Sequence, residues 1–237
     1  MDQLEPFPTD WTRALAIAAH PDDLEYGAAG AIAAWTDAGK DVRYLLVTRG
    51  EAGIDGIAPD ESAPLREAEQ IAGAAEVGVT KVEFLDHPDG VVEYGVPLRR
   101  DLAAAIRRHQ PELVITGNYH DTFPGGGLNS ADHRAVGRAA LDAVADAGNR
   151  WIFRDLEEPW NGVRYIAVSG SGQATHAVDV TDTLDRAVAS LEAHKAYLEG
   201  LGDHLMADAR EFLEWISDLN APRFGGRRAA SFELFRM

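Results

Sequence analysis

Short apolar runs alternate with longer segments of helical periodicity through the first half of the chain. Apolar stretches bounded by turn residues predict strands, and apolar positions three and four apart predict helices. The predicted strands are 14–19, 42–48, 82–85 and 112–116, and the predicted helices are 27–38, 59–76, 97–109 and 131–147. This alternation favours an α/β fold, in which a Rossmann-like, mostly parallel sheet carries helices on both faces.

The predicted helix 59–76 has apolar residues at helical spacing, which is typical of a stripe that faces a protein core. The stripe consists of Leu65, Ala68, Ile71, Ala72 and Ala75. We therefore expect this side of the helix to be buried and the charged residues between these positions to be exposed.

The second half of the chain has the same signals in a less regular order. Thr181 is predicted to cap one long helix that ends near residue 199, and His194 would lie on the surface of that helix. The other predicted elements are strands 163–169, 176–180 and 231–235, a helix at 208–219, and loops at 50–58 and 120–130. We expect residues 1–237 to form a single domain, with a motif-bearing core at about 13–148 and a C-terminal completion at about 149–237.

Polar residues follow each of the first four predicted strands. They occupy positions 20–23, 49–51, 86–89 and 118–121. Because ligands of parallel α/β sheets bind at the carboxyl ends of the strands, these four loops are expected to meet at one binding site.

Composition and charge restrict the chemistry of that site. The formal net charge of −17 disfavours nucleic acid and anionic membrane surfaces as partners. The absence of cysteine means that a metal site must use His, Asp and Glu. The first residues lack the pattern of a signal peptide, and no apolar run approaches the roughly 18 residues that span a bilayer. We therefore expect a cytoplasmic protein without membrane insertion, and the sequence leaves a homo-oligomer open.

The stretch A-H-P-D-D at 19–23 places two adjacent carboxylates directly after a buried strand. His20 and Asp23 are three residues apart in a tight turn, so both can face one zinc ion, which would offset the repulsion between Asp22 and Asp23. Asp22 could then accept a proton from water at that ion. The alternative is a helix N-cap, which explains one aspartate but not two beside a histidine.

The motifs A-H-P-D-D, T-R-G-E, L-R-E-A-E and A-D-H-R-A-V-G together resemble the LmbE-like, or PIG-L, family of zinc-dependent N-deacetylases over roughly residues 13 to 140. The resemblance implies that His20, Asp23 and His133 are zinc ligands and that Asp22 is the general base. It also implies removal of an N-acetyl group from an N-acetylglucosamine-type sugar conjugate by zinc-activated water. His133 could instead be a surface helix residue, and Asp132 could simply cap its helix.

The chain departs from the family pattern H-x-D-H, because Ser130 stands where the first histidine is usual. Serine cannot act as a cationic acid at neutral pH. His120 could take over the role of oxyanion donor or proton donor, and Asp121 could orient its ring and border the substrate. The alternative is a histidine in a mobile glycine-rich loop.

Four more residues are candidates for sugar binding, since carboxylates and guanidinium groups hydrogen-bond hydroxyls. They are Arg49, Glu51, Arg66 and Asp89, and the last three also match motif positions near the family's pocket. Each could instead be a solvated helix charge or a turn residue. Two other functions stay open: a zinc amidase for a larger acyl group, and a sugar-binding homologue without catalysis.

Overall fold

The structure, a computed structural model, describes residues 3–237 of the chain. The strands are β1 (Glu5–Pro6), β2 (Arg13–Ala18), β3 (Asp41–Leu46), β4 (Val82–Phe84), β5 (Leu113–Gly117), β6 (Tyr165–Ser169), β7 (His176–Asp179) and β8 (Ala229–Arg236). The helices are α1 (Asp23–Gly27), α2 (Ala29–Asp37), α3 (Pro59–Glu76), α4 (Val96–His109), α5 (Ala131–Gly148), α6 (Leu184–Glu192), α7 (Lys195–Gly200) and α8 (Ala209–Asn220). Short 3₁₀ turns lie at Leu205–Ala207 and Ala221–Arg223.

The strands form one eight-stranded sheet in the order β1-β7-β8-β6-β5-β2-β3-β4. All pairs are parallel except those of β8, which runs antiparallel to both β6 and β7. This confirms the predicted α/β class with a mostly parallel sheet. The chain moves outward from β2 in one direction to β3 and β4, and in the other to β5 and β6, so the strand order reverses beside β2.

Two apolar layers cover the two faces of the sheet. Along β2, Ala14, Ala16 and Ala18 belong to one buried cluster, whereas Leu15 and Ile17 belong to the other. This alternation follows from the two-residue period of a strand. The first cluster includes buried residues of α2, α6 and α8, and the second those of α4 and α5. Helices therefore pack on both faces, as predicted.

The predicted boundaries of α3 are correct, but the predicted buried face is wrong. Ile71 of the predicted stripe is 53% exposed, whereas Arg66 is 1% exposed. The buried side of α3 is formed by Ser62, Arg66, Glu69, Gln70, Gly73 and Ala74. This side packs on a polar layer of buried groups, so hydrogen bonds and close backbone approach decide the orientation of the helix. A Cβ atom at Gly73 would lie 2.7 Å from the carbonyl oxygen of Ser190, which shows how close that approach is.

Two predicted helices are each divided in the structure. The segment predicted as 27–38 becomes α1 and α2, separated at Ala28, whose φ of −136° lies outside the helical range. The segment predicted to run from Thr181 to about 199 begins after Thr183 and breaks before α7. The break occurs at His194, which is fully buried rather than on the surface, because the chain turns there to insert the imidazole beneath α1 and α3.

Candidate active site

The polar loops that follow β2, β3, β4 and β5 meet at the carboxyl edge of the sheet, beside the reversal in strand order. They border a cavity of about 840 Å³, a size typical of small-molecule sites. His20, Asp89 and Asn118 line it from three of these loops, and His133 lines it from the first turn of α5. The loops at the strand ends therefore converge on one cavity, as predicted.

His20, Asp23 and His133 lie close together at the rim of this cavity. Their ligand atoms all lie within 4.8 Å of one another. The Nε2 atom of His133 is 2.9 Å from Oδ1 of Asp23, and Nδ1 of His20 is 3.5 Å from Oδ2 of Asp23. Two imidazoles and one carboxylate converging on one point are a donor set that zinc accepts.

Asp89 and Asp132 hold the opposite side of the His20 ring. Nε2 of His20 is 3.1 Å from Asp89 Oδ1 and 3.2 Å from Asp132 Oδ2. Burial alone would lower the pKa of His20, but Asp23, Asp132 and Asp89 surround the ring and raise its pKa well above the ordinary value. In Asp23, burial would raise the pKa, but His133 and His20 hold it well below the usual range.

Asp132 does not cap α5. Ser130 is the N-cap residue, and its Oγ accepts a hydrogen bond from the backbone N–H of His133 at 3.1 Å. The buried carboxylate of Asp132 instead accepts hydrogen bonds from the N–H groups of Gly90, at 2.7 Å, and Val92, at 3.1 Å. Asp132 thus joins α5 to the loop after β4 and to His20, a role that was not predicted from the sequence.

The ring of His133 is oriented by Asn129. Nδ1 of His133 lies 3.0 Å from Asn129 Oδ1, which turns Nε2 towards Asp23. The amide of Asn129 also donates hydrogen bonds to the carbonyl oxygens of Asn118, at 2.6 Å, and His120, at 3.0 Å. Asn129 was not identified from the sequence, because a loop asparagine has no distinguishing pattern before its neighbours are known.

Asp22 is buried directly beneath the rim and has a left-handed backbone conformation with φ of 81°. This conformation is uncommon for a residue other than glycine and is often found at functional sites. Its Oδ2 accepts a hydrogen bond from Arg66 at 2.6 Å, and its N–H donates to Gln70 Oε1 at 3.0 Å. Burial raises the pKa of Asp22 well above its usual value, while Arg66 acts in the opposite direction.

The four predicted sugar-binding residues divide into two pairs. Arg66 and Asp89 line the cavity, although Arg66 is occupied by Asp22 and lies over the ring of Tyr197 at 4.3 Å. Glu51 joins two loops instead, since Oε1 accepts from the N–H of Asp89 at 2.9 Å and Oε2 from that of Arg49 at 3.2 Å. The guanidinium group of Arg49 contacts Glu67, Asp86 and the carbonyl oxygen of Leu85.

His120 is held by Glu233 of β8, and not by Asp121 as expected. The distance from His120 Nε2 to Glu233 Oε2 is 2.8 Å, whereas the side chain of Asp121 is 90% exposed. The same Glu233 oxygen accepts a hydrogen bond from Ser171 Oγ at 2.6 Å, and Ser171 lines the cavity. Asp121 points into solvent because the loop reverses at Thr122, which pairs with Leu128. Glu233 was missed because it lies far from His120 in the sequence.

The fold and these positions define an α/β protein with a candidate metal centre at the switch point of its sheet. The model of the family PIG-L, GlcNAc-PI de-N-acetylase, matches residues 15–144, which is more than half of the chain. The chain therefore belongs to the PIG-L, or LmbE-like, family of de-N-acetylases, as its motifs indicated.

Relatives cover most of the chain. It is 30% identical over 198 residues to the diacetylchitobiose deacetylase of Thermococcus kodakarensis, with 81% of this chain and 72% of that protein covered. It is 27% identical over 249 residues to the 1D-myo-inositol 2-acetamido-2-deoxy-α-D-glucopyranoside deacetylase of Kineococcus radiotolerans, covering 77% and 68%. The solved N,N'-diacetylchitobiose deacetylase from Pyrococcus horikoshii, in complex with its inhibitor MPG, superposes with a TM-score of 0.85 at 25% identity, covering 96% and 85%.

Within residues 3–237, no helix combines the length and the apolar character that crossing a membrane requires.

Proposed function

We propose that this protein is a zinc-dependent hydrolase that removes the N-acetyl group from an N-acetylglucosamine-type sugar conjugate. The observation that carries the proposal is the convergence of His20, Asp23 and His133 beside the buried carboxylate of Asp22. A structural zinc site would have its four positions filled by protein, whereas three protein ligands leave a position for water or substrate. The neighbouring cavity gives a substrate access to that position.

The donor set and its outer partners fit zinc. Metal-bound histidines usually donate their second ring N–H to a carboxylate or carbonyl oxygen, which fixes the tautomer. Nε2 of His20 faces Asp89 and Asp132, and Nδ1 of His133 faces Asn129 Oδ1, so each ring has such a partner on the side away from Asp23. When bound, zinc would lower the pKa of a water molecule and polarise the amide carbonyl of the substrate.

Asp22 is the proposed general base. Arg66 occupies its Oδ2, which leaves Oδ1 to accept a proton from the attacking water. As the C–N bond breaks, the same oxygen returns the proton to the amine nitrogen, so the products are acetate and a free amino sugar. Arg66 and Gln70 fix the direction of the carboxylate by contacting its side chain and its backbone N–H respectively.

His120 is the proposed second donor, for the oxyanion or for the leaving amine. In the structure its ring pairs with Glu233, so the role requires the imidazole to turn from Glu233 towards the cavity. Ser130 cannot supply this donor as a cation, and its Oγ is already engaged by the N–H of His133. A donor of this kind is typically worth about 3 kcal/mol in the transition state.

The sugar-conjugate substrate is supported by the names of the relatives. Both curated relatives described above act on acetamido sugars, and they differ in what is attached to the sugar. We infer that the acetyl group is the constant part of the substrate and that the attached group varies. Asp89 and Arg66 line the cavity near the rim, where they would meet the sugar. Arg49, Glu51 and Asp121 stay predicted substrate contacts.

The test is acetate release from the methyl glycoside of N-acetylglucosamine, with zinc content measured on the same samples. We expect turnover by the zinc-loaded wild type, loss of turnover with a chelator, and recovery on adding zinc. Asp22→Asn should retain zinc and lose at least about 100-fold in kcat, since it removes the base. Asp55→Asn, in an exposed loop, is the matched control and should behave as wild type.

The other candidate functions give different results in the same assay. An amidase for larger acyl groups would release butyrate or octanoate faster than acetate. A sugar-binding homologue would bind the glycoside, with no acetate formed at any zinc concentration. Either result would replace the proposed reaction.

A further inference from the structure

The cavity extends well beyond the rim, into a second chamber on one face of the sheet. Residues of α2, α6, α8 and β8 line this chamber, together with Val180 directly after β7. We call it the apolar annex and define it by Gly30, Val180, Ala187, Phe212, Ile216 and Ala230, which line the same cavity as His20 and Asp23. The annex and the candidate metal centre are therefore parts of one continuous space.

The annex and the rim differ in charge. The charged side chains that line the cavity are His20, Asp22, Asp23, Glu25, Arg66, Asp89, His133 and Arg223. All except Arg223 belong to the rim or to the buried layer directly beneath it. The defining residues of the annex are aliphatic, aromatic or glycine, and the polar residues next to them, Ser217, Asn220 and Ser231, are uncharged.

Tyr26 connects the two parts. It lies on α1, the same short helix that begins with Asp23, and its ring meets that of Phe212 edge-on at 5.3 Å. Its hydroxyl donates to the carbonyl oxygen of Met206, in the 3₁₀ turn that precedes α8, at 2.8 Å. Tyr26 and Phe212 both line the cavity, so this aromatic pair links the wall formed by α1 to the wall formed by α8.

The annex also reaches the surface at its far end. Trp215 and Leu219 of α8 line the cavity, and they are 49% and 56% exposed. Large apolar side chains that are half exposed beside a cavity are typical of a site for an apolar ligand. An extended chain could thus run from the rim, past Phe212, and end near α8.

We propose that the annex binds an uncharged alkyl group attached to the sugar, so that the preferred substrates are alkyl glycosides of N-acetylglucosamine. This inference rests on the proposed function, in which the acetyl group is the part held at the rim. The net charge of −17 disfavours the approach of anionic lipids to the protein as a whole. Each methylene that leaves water for such a chamber can raise affinity by up to about fourfold.

The experiment compares the methyl and octyl glycosides of N-acetylglucosamine with zinc-loaded enzyme, below the micelle concentration of the octyl compound. We expect kcat/KM to be at least tenfold higher for the octyl glycoside. Ile216→Trp should fill the annex and reduce this ratio below threefold. Glu211→Trp places the same side chain at an exposed position on the same helix, outside the cavity, and should keep the wild-type ratio.

A third substrate separates the alkyl group on the sugar from one on the amide nitrogen. The methyl glycoside of N-octanoylglucosamine carries its chain on the acyl side. If it is cleaved faster than both acetylated glycosides, the annex holds the acyl chain and the proposal is overturned. Equal kcat/KM values for the methyl and octyl glycosides would overturn it as well.

Binding without turnover tests the annex independently of the reaction. Octyl glucoside has no acetamido group and cannot be deacetylated, and its binding can be measured by calorimetry on the zinc-loaded protein. We expect wild type and Glu211→Trp to bind it at least tenfold more tightly than Ile216→Trp does. If this holds while no acetate is released from any substrate, the proposed function fails and the annex stands. If the three proteins bind octyl glucoside equally, the annex assignment fails.

Discussion

The cavity is lined by different kinds of residues on the two sides of strand β5. On the side of β2, β3 and β4, polar loops hold one another by charged and backbone hydrogen bonds around His20 and Asp22. On the side of β6 and β8, the wall is mostly apolar and its polar residues are mainly serines, and α8 covers it with side chains that remain half exposed. Under the proposed function, the first side carries the reaction and the second contacts the group attached to the sugar, so changes on the two sides should have separable effects.

The largest expected effect is that of removing a proposed metal ligand on the side of β2, β3 and β4. His133→Ala deletes one of two imidazoles, and we expect zinc affinity to fall by more than the roughly 10–100-fold typical of losing an outer partner. Acetate release at limiting zinc should fall at least as far, equally for methyl and octyl glycosides. Metal analysis after dialysis and a turnover assay measure both effects.

His87→Ala is the matched control for this prediction. His87 lies after β4 and pairs with Asp101 at 3.0 Å, away from the metal centre. It should keep its zinc and its activity. Full zinc retention by His133→Ala would contradict the assigned ligand set, and a loss restricted to the octyl glycoside would contradict the division between the two sides.

The second largest expected effect is a loss of stability when the ion pair beneath the rim is broken. Arg66 and Asp22 are both almost fully buried, so Arg66→Met leaves an uncompensated carboxylate in the interior. Such a change costs about 3–5 kcal/mol in the free energy of unfolding. Urea unfolding at pH 7 measures it. The double variant Arg66→Met, Asp22→Asn should recover a large part of the loss, and no recovery would argue against the pair.

The sequence predicted the polar residues on the side of β2, β3 and β4 better than the cavity wall on the side of β6 and β8. The reason is that the polar residues are close together in the chain. His20, Asp22 and Asp23 are neighbours in the chain, so one turn after one strand brings them together. The parallel sheet then aligns the following loops with that turn. These are short-range patterns and a general rule of the fold, and both can be recognised without knowing any tertiary contact.

The errors arose where distant elements decide a local feature. The face of α3 was assigned from its apolar stripe, but the buried partners of this helix are Asp22, Glu25 and His194, which make its polar side the inner one. Glu233 stands in an alternating strand, and nothing near it indicates that its partner is His120. The annex likewise requires Tyr26 and Phe212 to meet, which no periodicity encodes.

His120 tests whether the two sides cooperate, because it follows β5 and pairs with Glu233 on β8. If it supplies the second donor, His120→Ala should reduce kcat by about 100-fold, with zinc content unchanged. Glu233→Gln keeps a hydrogen-bonding partner without the charge and should give an intermediate value. Unchanged turnover in His120→Ala would remove this residue from the mechanism and would leave the reaction entirely to the β2 side.

The smallest expected effect concerns His194, which anchors α7 beneath α1 and α3. The imidazole is fully buried, and burial lowers its pKa to about 3, with Arg66 adding to the effect. An unfolded chain takes up this proton near pH 6.5, so the unfolded state binds more protons between these values. The free energy of unfolding that His194 contributes should therefore decrease as the pH falls from 6.5, by about 2 kcal/mol at pH 5.

The variant His194→Gln should lack this decrease, so that its stability relative to wild type improves as the medium becomes more acidic. Glu25 faces His194 at 3.7 Å, and burial raises its pKa to about 7, which acts in the opposite direction and partly masks the effect in wild type. The informative quantity is therefore the difference between the two proteins across pH 5 to 7. His204→Gln, at an exposed position, controls for the loss of a histidine. Parallel pH profiles for wild type and His194→Gln would show that the buried imidazole does not set the stability of the protein in acid.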